Sequence, residues 1–440
     1  MNNSRRAACA LLALLSIALS ACGSAAQGGD SVSSTDAGIT EPAPAEVKML
    51  DVLTLPIVRS DNAGDLMVRA ATGLYKALSA HSSSAVITTD WVKDESTIDP
   101  NAAEIILGTT NRPAGKALQA ELVPGTFAIS ATETQLLIVG ADDVDSYRGV
   151  QYFIDEVLAG KVEGIEVGDG VLRIPVGYHY VSEVMDMGPS TILNSTDSFI
   201  AETKLVGPVP RIGNYKVMQG GVVTEDYAYF ALINTADFPE SAVEAYILKY
   251  DRETWKEVGR SKSLVLDHAN DITYIPETNE LYVVSCYVDS KRITVLDADT
   301  LEFKERKSLG GSNGAYALEY NPLRGQFVSG LGKTNMCIYD KDLNYVTYHQ
   351  GKNTTLVTQG ICADDKYIYH VLYSTKSNTE EPDNVIFVYD WDGNFITKIP
   401  IGIKSYEPEN ISLVGDTFYI ACNNADWTGG IVFTAKIVKE

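Results

Sequence analysis

The sequence predicts a two-part fold, a small two-layer α/β unit followed by an all-β ring of repeated blades. Three observations carry that expectation. First, one pattern recurs five times in the second half, beginning MQGGVVTEDYAYFAL, HANDITYIPETNELYVV, GAYALEYNPLRGQFVSG, TQGICADDKYIYHVL and EPENISLVGDTFYIAC. Aligned on the aromatic residue of the second strand, Gln219, Asn270, Tyr316, Gln359 and Glu409 are equivalent and lie 43 to 51 residues apart. Short strands and turns recurring at that length make a propeller blade, so five copies predict a five-bladed β-propeller over 218–440. Second, strands and helices alternate over 48–180 before the repeats begin. Third, four repeats carry a third strand, a turn and a fourth strand, whereas the last ends at GIVFTAKIVKE. A closed ring leaves no unpaired edge, so the missing strand is expected from the N-terminal side, near 198–206.

The elements follow in chain order. Arg5 and Arg6 precede an almost wholly apolar run over 7–19 that ends in small residues. Such a run is too short to span a membrane and reads as an export signal over 1–22. The tetrapeptide LSAC at 19–22 resembles the bacterial lipobox, which implies a diacylglycerol on Cys22 and a palmitoylated, membrane-anchored mature chain. Residues 23–47 are rich in Ser, Ala, Gly, Asp and Pro and read as a flexible tether. These features place the folded part on the outer side of a bacterial cytoplasmic membrane. A formal charge of −23 repels phosphates, which argues against nucleic acid as a partner. Cys286, Cys337, Cys362 and Cys422 fall in strand-like runs without metal-type spacing and read as buried thiols.

Over 48–180 the expected order is an extended run, a helix with Leu66, Ala70, Leu74 and Leu78 on one face, and the strands AVITTDWV and AEIILGT. A helix over 114–122, the hairpin TFAISATETQLLIVGA, the helix SYRGVQYFIDEVLA and the strand pair GIEVGD and VLRIPV complete one sheet with its helices. The segments AEIILGTTNRP, LLIVGADD and YRGVQYFIDEVL resemble the N-terminal accessory domain of α-glucuronidases and β-hexosaminidases. That likeness implies a glycan context and brings no catalytic residue with it. Residues 181–217, broken by Pro189, Pro208 and Pro210, read as a linker and the ring-closing strand.

Two motifs look chemical and are read as structural. Asp390, Asp392, Gly393 and Asn394 start like a calcium loop, but sister repeats carry Asp or Glu at the same places, as tight hairpins require. GGSNG at 310–314 fits the nucleophile-elbow pattern around Ser312, yet it joins two strands where the elbow needs a following helix. Trp391 and Trp427 lie in or beside turns, where they could stack on sugars or fill gaps between blades.

The starts of innermost strands converge on one face of a propeller. Here the converging set is Gln219, His268, Asn270, Asp271, Tyr316, Gln359, Glu407, Glu409 and Asn410. Amides, carboxylates, one histidine and one tyrosine supply donors and acceptors for a polar ligand, or equally a hydrated ring linking the blades. The repeats resemble a group of lipoproteins and exported proteins of Gram-positive anaerobes through HANDITY, TQGICADDKYIY, VYDWDGNF and YEPENISLVGDTFYIA. A weaker likeness is to six-bladed lactonases, in which Glu, Asn and Asp of inner strands hold a divalent cation. It implies Asn270, Asp271 and Glu409 as that trio. The leading expectation is a surface-anchored, non-enzymatic protein without a cofactor, holding a glycan, cell-wall polymer or protein ligand at the channel mouth. The alternative is a carbohydrate- or lactone-active enzyme using His268 with Asp271, Glu407 or Glu409, with or without a divalent cation. A further alternative is a scaffold in an envelope complex.

Overall fold

A computed structural model describes residues 47–82, 84–184, 193–236, 243–375, 378, 381–424 and 428–440. The expected signal, the lipidation at Cys22, the tether up to residue 46 and Trp427 lie outside those residues. The chain first lays down β1 (Met49–Asp51), β2 (Ile57–Arg59), the helix α1 (Asp65–Ser79), β3 (Ile87–Thr89) and β4 (Glu104–Leu107). There follow α2 (Pro113–Glu121), β5 (Phe127–Ala131), β6 (Gln135–Gly140), α3 (Asp143–Tyr152), β7 (Glu166–Gly168), β8 (Val171–Pro175) and β9 (His179–Val181).

Six of these strands form one sheet in the order β3-β2-β4-β6-β5-β9. Its first four strands run parallel, and β5 and β9 are antiparallel additions. α1 buries Ala70, Leu74 and Leu78 with Ile105, Ile129 and Ile138 of the sheet, because residues three and four apart share a helix face. Gly140 ends β6 where a Cβ would lie 2.1 Å from the Ser146 backbone nitrogen, so only glycine lets the start of α3 press on the sheet. The expectation of a single sheet is corrected. The β7–β8 hairpin pairs with β1 in a separate three-stranded sheet, β1-β8-β7. The hairpin is amphipathic: Leu172 and Ile174 are buried between exposed neighbours.

β10 (Phe199–Pro210) leads into the second half. β11 (Tyr215–Val223), β12 (Tyr227–Asn234), β13 (Glu244–Asp251) and β14 (Lys256–Arg260) form the first sheet there, with the short β15 (Leu264–Val265) added on β13. β16 (Asp271–Ile275), β17 (Glu280–Val284), β18 (Arg292–Asp297) and β19 (Phe303–Ser308) form the second. The third comprises β20 (Ala317–Asn321), β21 (Gln326–Gly330), β22 (Met336–Asp340) and β23 (Tyr345–His349). The fourth comprises β24 (Val357–Ala363), β25 (Tyr367–Tyr373), β26 (Val385–Asp390) and β27 (Phe395–Pro400). The last holds β28 (Glu407–Val414), β29 (Thr417–Asn423) and β30 (Gly429–Lys439), and its outer strand is β10. That pairing runs antiparallel from Phe199 opposite Lys439 to Pro210 opposite Gly429.

This half is all-β and propeller-like. The first strands of successive sheets adjoin in a closed cycle, β11 to β16, β20, β24, β28 and back to β11. The apolar core follows the same cycle, because period-two alternation gives every sheet two buried faces. Val283 and Ile247 share one cluster, Tyr282 and Phe327 the next, then Val328 and Ile368, Tyr369 and Phe418, and finally Val432 and Phe230. Tyr229, Tyr282 and Tyr369, on equivalent second strands, are all buried in these clusters. Cys337, Cys362 and Cys422 are buried free thiols, while Cys286 is half-buried and departs from that expectation.

Each first strand turns an unladdered edge toward its neighbour, and the neighbour satisfies it. The Gly220 amide donates to the Ala269 carbonyl at 2.8 Å, Val223 to Ser412 Oγ at 3.0 Å and Tyr320 to Thr273 Oγ1 at 3.1 Å. Gly220 is needed there, since a Cβ would lie 2.6 Å from the Asp271 Cα.

The hairpin turns close on themselves. Asp390 Oδ1 accepts from the amides of Asp392 and Asn394 at 3.0 and 2.8 Å. Asp340 does the same for Asp342 and Asn344, both at 2.9 Å. Ser312 is exposed in an irregular connection that leads into a strand. Trp391 is buried, donates to the Asp364 carbonyl at 3.0 Å, and fills a gap with no free face for a sugar.

Val47–Glu440 is one compact unit. The α/β half meets the third and fourth sheets through polar contacts. Arg148 pairs with Asp365, Lys366 Nζ lies 2.5 Å from Asp142 Oδ2, and Arg69 donates to the Arg324 carbonyl. Leu66 and Val144 pack on Leu323 beside them.

Candidate functional site

A cleft of about 830 Å³ opens where the first strands enter the ring. Seven of the nine residues expected to converge line it: Gln219, His268, Asn270, Tyr316, Gln359, Glu407 and Glu409. They come from all five sheets or the loops just before them, so the convergence is a product of the cycle and of no local sequence.

Gln219 sits on β11 with 6% of its surface exposed, and its amide has no hydrogen-bond partner among the described residues. The amide atoms face the open cleft, where a ligand with a donor and an acceptor would bond them. Glu409, 5% exposed, accepts from Asn423 Nδ2 at 2.6 Å. Burial, reinforced by the nearby Glu407 charge, holds its carboxyl well above the ordinary range. Burial raises Glu407 as well, and Gln359 Nε2 donates to it at 3.3 Å.

On the opposite wall, His268 Nδ1 lies 2.9 Å from Asn270 Oδ1, and Asn270 Nδ2 donates to the Tyr316 carbonyl at 2.6 Å. That chain of bonds fixes the Asn270 oxygen as an acceptor. His268 therefore donates from Nδ1. The Tyr287 ring stands edge-on to His268 at 4.7 Å. Tyr287 and Tyr316, 60% and 43% exposed, give the rim two aromatic faces.

Asp271 and Asn410, expected with this set, are corrected: neither lines the cleft. Both are buried below it, where Asn410 Nδ2 donates to Asp271 Oδ1 at 3.0 Å and also to the Gly221 carbonyl. Asp271 further accepts from the amides of Ile272 at 2.9 Å and Leu318 at 3.0 Å. The pair thus ties the first, second, third and last sheets together across the centre. β-Bulges between Met218 and Gly221 and between Pro408 and Asn410 alter which side chains face inward, and a sequence alignment cannot see them.

Two chemical expectations fail with that placement. His268 is oriented by an amide, not by Asp271, so the pair that would serve acid–base work is not formed. The trio of Asn270, Asp271 and Glu409 does not assemble either. Among the described residues no group of three or more His, Cys, Asp or Glu is arranged to hold a metal ion. Sequence reasoning missed Lys216, Cys286 and Tyr287, which also line the cleft. Cys286 and Tyr287 follow a second strand, and the loops there share no pattern from repeat to repeat.

Neither a protein-family profile nor a curated protein sequence matches the chain. Among solved structures it is similar to the hydrazine synthase of Kuenenia stuttgartiensis, with TM-score 0.32 and 11% identity over 48% of this chain and 57% of that one. It is also similar to the WD40 repeats of RRP9, with TM-score 0.32 and 9% identity over 53% of this chain and 100% of that one.

Proposed function

We propose that the five sheets are the blades of a five-bladed β-propeller, joined to an α/β accessory domain over 48–180, and that its mouth binds an uncharged polar ligand. The ligand class is a glycan or cell-wall polymer of the bacterial envelope. The observation that carries this reading is the composition of the cleft wall. The Gln219 amide, the Glu409 carboxyl held well above its usual range and the His268 ring offer several hydrogen-bonding groups on one wall, beside Lys216 and Glu407. Tyr287 and Tyr316 add apolar faces at the rim, the combination a sugar ring needs. The LSAC segment and the tether support export and lipid anchoring at Cys22 on the outer side of the cytoplasmic membrane. Binding without turnover fits a histidine held by an amide, which has no carboxylate to stabilise its protonated form.

A second reading, a scaffold in an envelope complex, is favoured by the Asp271–Asn410 bridge, which closes the centre of the ring below the cleft. The two readings separate in a binding screen of neutral glycans and cell-wall fragments on the full-length chain in mild detergent. Saturable binding that Gln219→Leu weakens supports the glycan reading. Binding to none of them leaves the scaffold.

A further inference from the structure

A second cleft, of about 740 Å³, lies where the α/β half meets the third and fourth sheets. The parallel strands β4 and β6 point their carboxyl ends at it through Thr109 and Ala141, the end of an open α/β sheet where ligands bind. Three polar side chains in its wall keep donor or acceptor atoms without a hydrogen bond among the described residues. Gln326, 9% exposed, has an amide with no hydrogen bond among the described residues. The Asp143 carboxylate, beside the start of α3, has none either. Arg324 donates through Nε to the Asp365 carbonyl at 2.8 Å and lays its guanidinium 4.7 Å from the Trp391 ring centre, which leaves both terminal nitrogens open.

Asp143 and Arg324 are near enough for the arginine to lower the aspartate's proton affinity, yet they do not form an ion pair. Both are desolvated: burial raises the Asp143 carboxyl, and it pulls the Arg324 guanidinium down to about 10. The two do not pair with each other, and Asp365, Asp392 and Asp364 also act on the guanidinium. A phosphate would meet Asp143 and Asp392, a simple cation would meet Arg324, and a stacked sugar would find Trp391 buried beneath that arginine.

We propose that this junction cleft binds a small zwitterion, an amino acid or short peptide, with its ammonium at Asp143 and its carboxylate at Arg324 and Gln326. The guanidinium supplies two parallel donors for a carboxylate, and the Gln326 amide supplies a third. Because the walls belong to both halves, the ligand would also clamp the α/β half to the ring.

Isothermal titration of the full-length chain in mild detergent tests this with glycine, triglycine, N-acetyl-triglycine and triglycine amide. Saturable binding of glycine or triglycine is expected, with either end-block weakening it by about tenfold or more. The tighter of the two free ligands tells whether amino acids or peptide ends are the natural class. Asp143→Asn should weaken the free ligands by a similar factor and erase the penalty of N-acetylation, and Gln326→Leu should weaken them less. Equal affinity for blocked and free triglycine, an Asp143→Asn chain that binds unchanged, or no saturable binding of either free ligand would overturn the proposal. Gln219→Leu, at the other cleft, should leave these titrations as they are.

Discussion

The mouth of the ring and its centre carry the same kinds of side chain and use them in opposite ways. At the centre, Asp271 accepts three hydrogen bonds and Asn410 donates two, from four different sheets. At the mouth, the Gln219 amide of β11 has no side-chain hydrogen bond among the described residues, and Glu407, three residues before Asn410 on β28, accepts one bond at 3.3 Å. Polar groups enclosed on all sides must be paired within the chain, and the centre does so. Groups at the rim can leave that pairing to a ligand. The polarity of an inner strand therefore does not reveal its role; the completeness of its hydrogen bonding does.

The comparison presupposes a closed ring, and the largest expected effect tests that. Deleting 199–210 removes β10 and exposes the whole edge of β30. Cooperative urea unfolding should be lost, and an unchanged unfolding curve would show that the last sheet needs no outer strand.

Next in size is Asn410→Leu, which removes the side-chain donor to the Gly221 carbonyl and leaves Asp271 Oδ1 with the Ile272 amide alone. It should cost about 2–4 kcal/mol in denaturant unfolding. A loss below about 1 kcal/mol would erase the distinction between centre and mouth.

A smaller effect concerns pH. Burial pushes Asp271 up to about 8 and Glu409 well above its usual range. The folded chain thus holds these protons more tightly than the unfolded chain does. The Asp271 contribution to stability is complete below about pH 4, where both states are protonated, and is lost as the pH rises through about 8; that of Glu409 is lost in the same direction. Glu409→Gln keeps the acceptor for Asn423 but cannot ionise, so its stability should fall less than that of the parent between pH 5 and pH 9. Parallel stability curves for the two chains would show that Glu409 does not titrate in that window.

The smallest change in stability is expected at the mouth. Gln219→Leu, or His268→Ala combined with Glu409→Gln, should shift unfolding by under about 1 kcal/mol while weakening glycan binding. A large loss of stability would make the mouth architectural, like the centre.

Much of the fold was legible because it repeats. Second-strand aromatics such as Tyr282 and Tyr369 mark equivalent positions, and period-two alternation marks strands buried on both faces. The positions of Gln219, Gln359 and Glu409 were legible for the same reason, since a repeat maps each copy onto the same end of its sheet. Asn410 was misjudged because a bulge beside it shifts which neighbours face inward, and Asp271 because it alternates with Asn270 on a regular strand. The junction cleft left no trace in the sequence. Asp143 and Arg324 are remote along the chain, and although Arg324 lies in the third copy of the repeat, no other copy carries an arginine in that turn.

By itself the sequence determined the number and length of the repeats, the alternation of strands and helices before them, and the positions that enter each inner strand. These follow from local periodicity, which is written residue by residue. Only the tertiary structure decided which polar side chains are paired and which are left open, because pairing across sheets depends on register, bulges and the approach of segments 139 residues apart, as in the bond from Asn410 to Asp271.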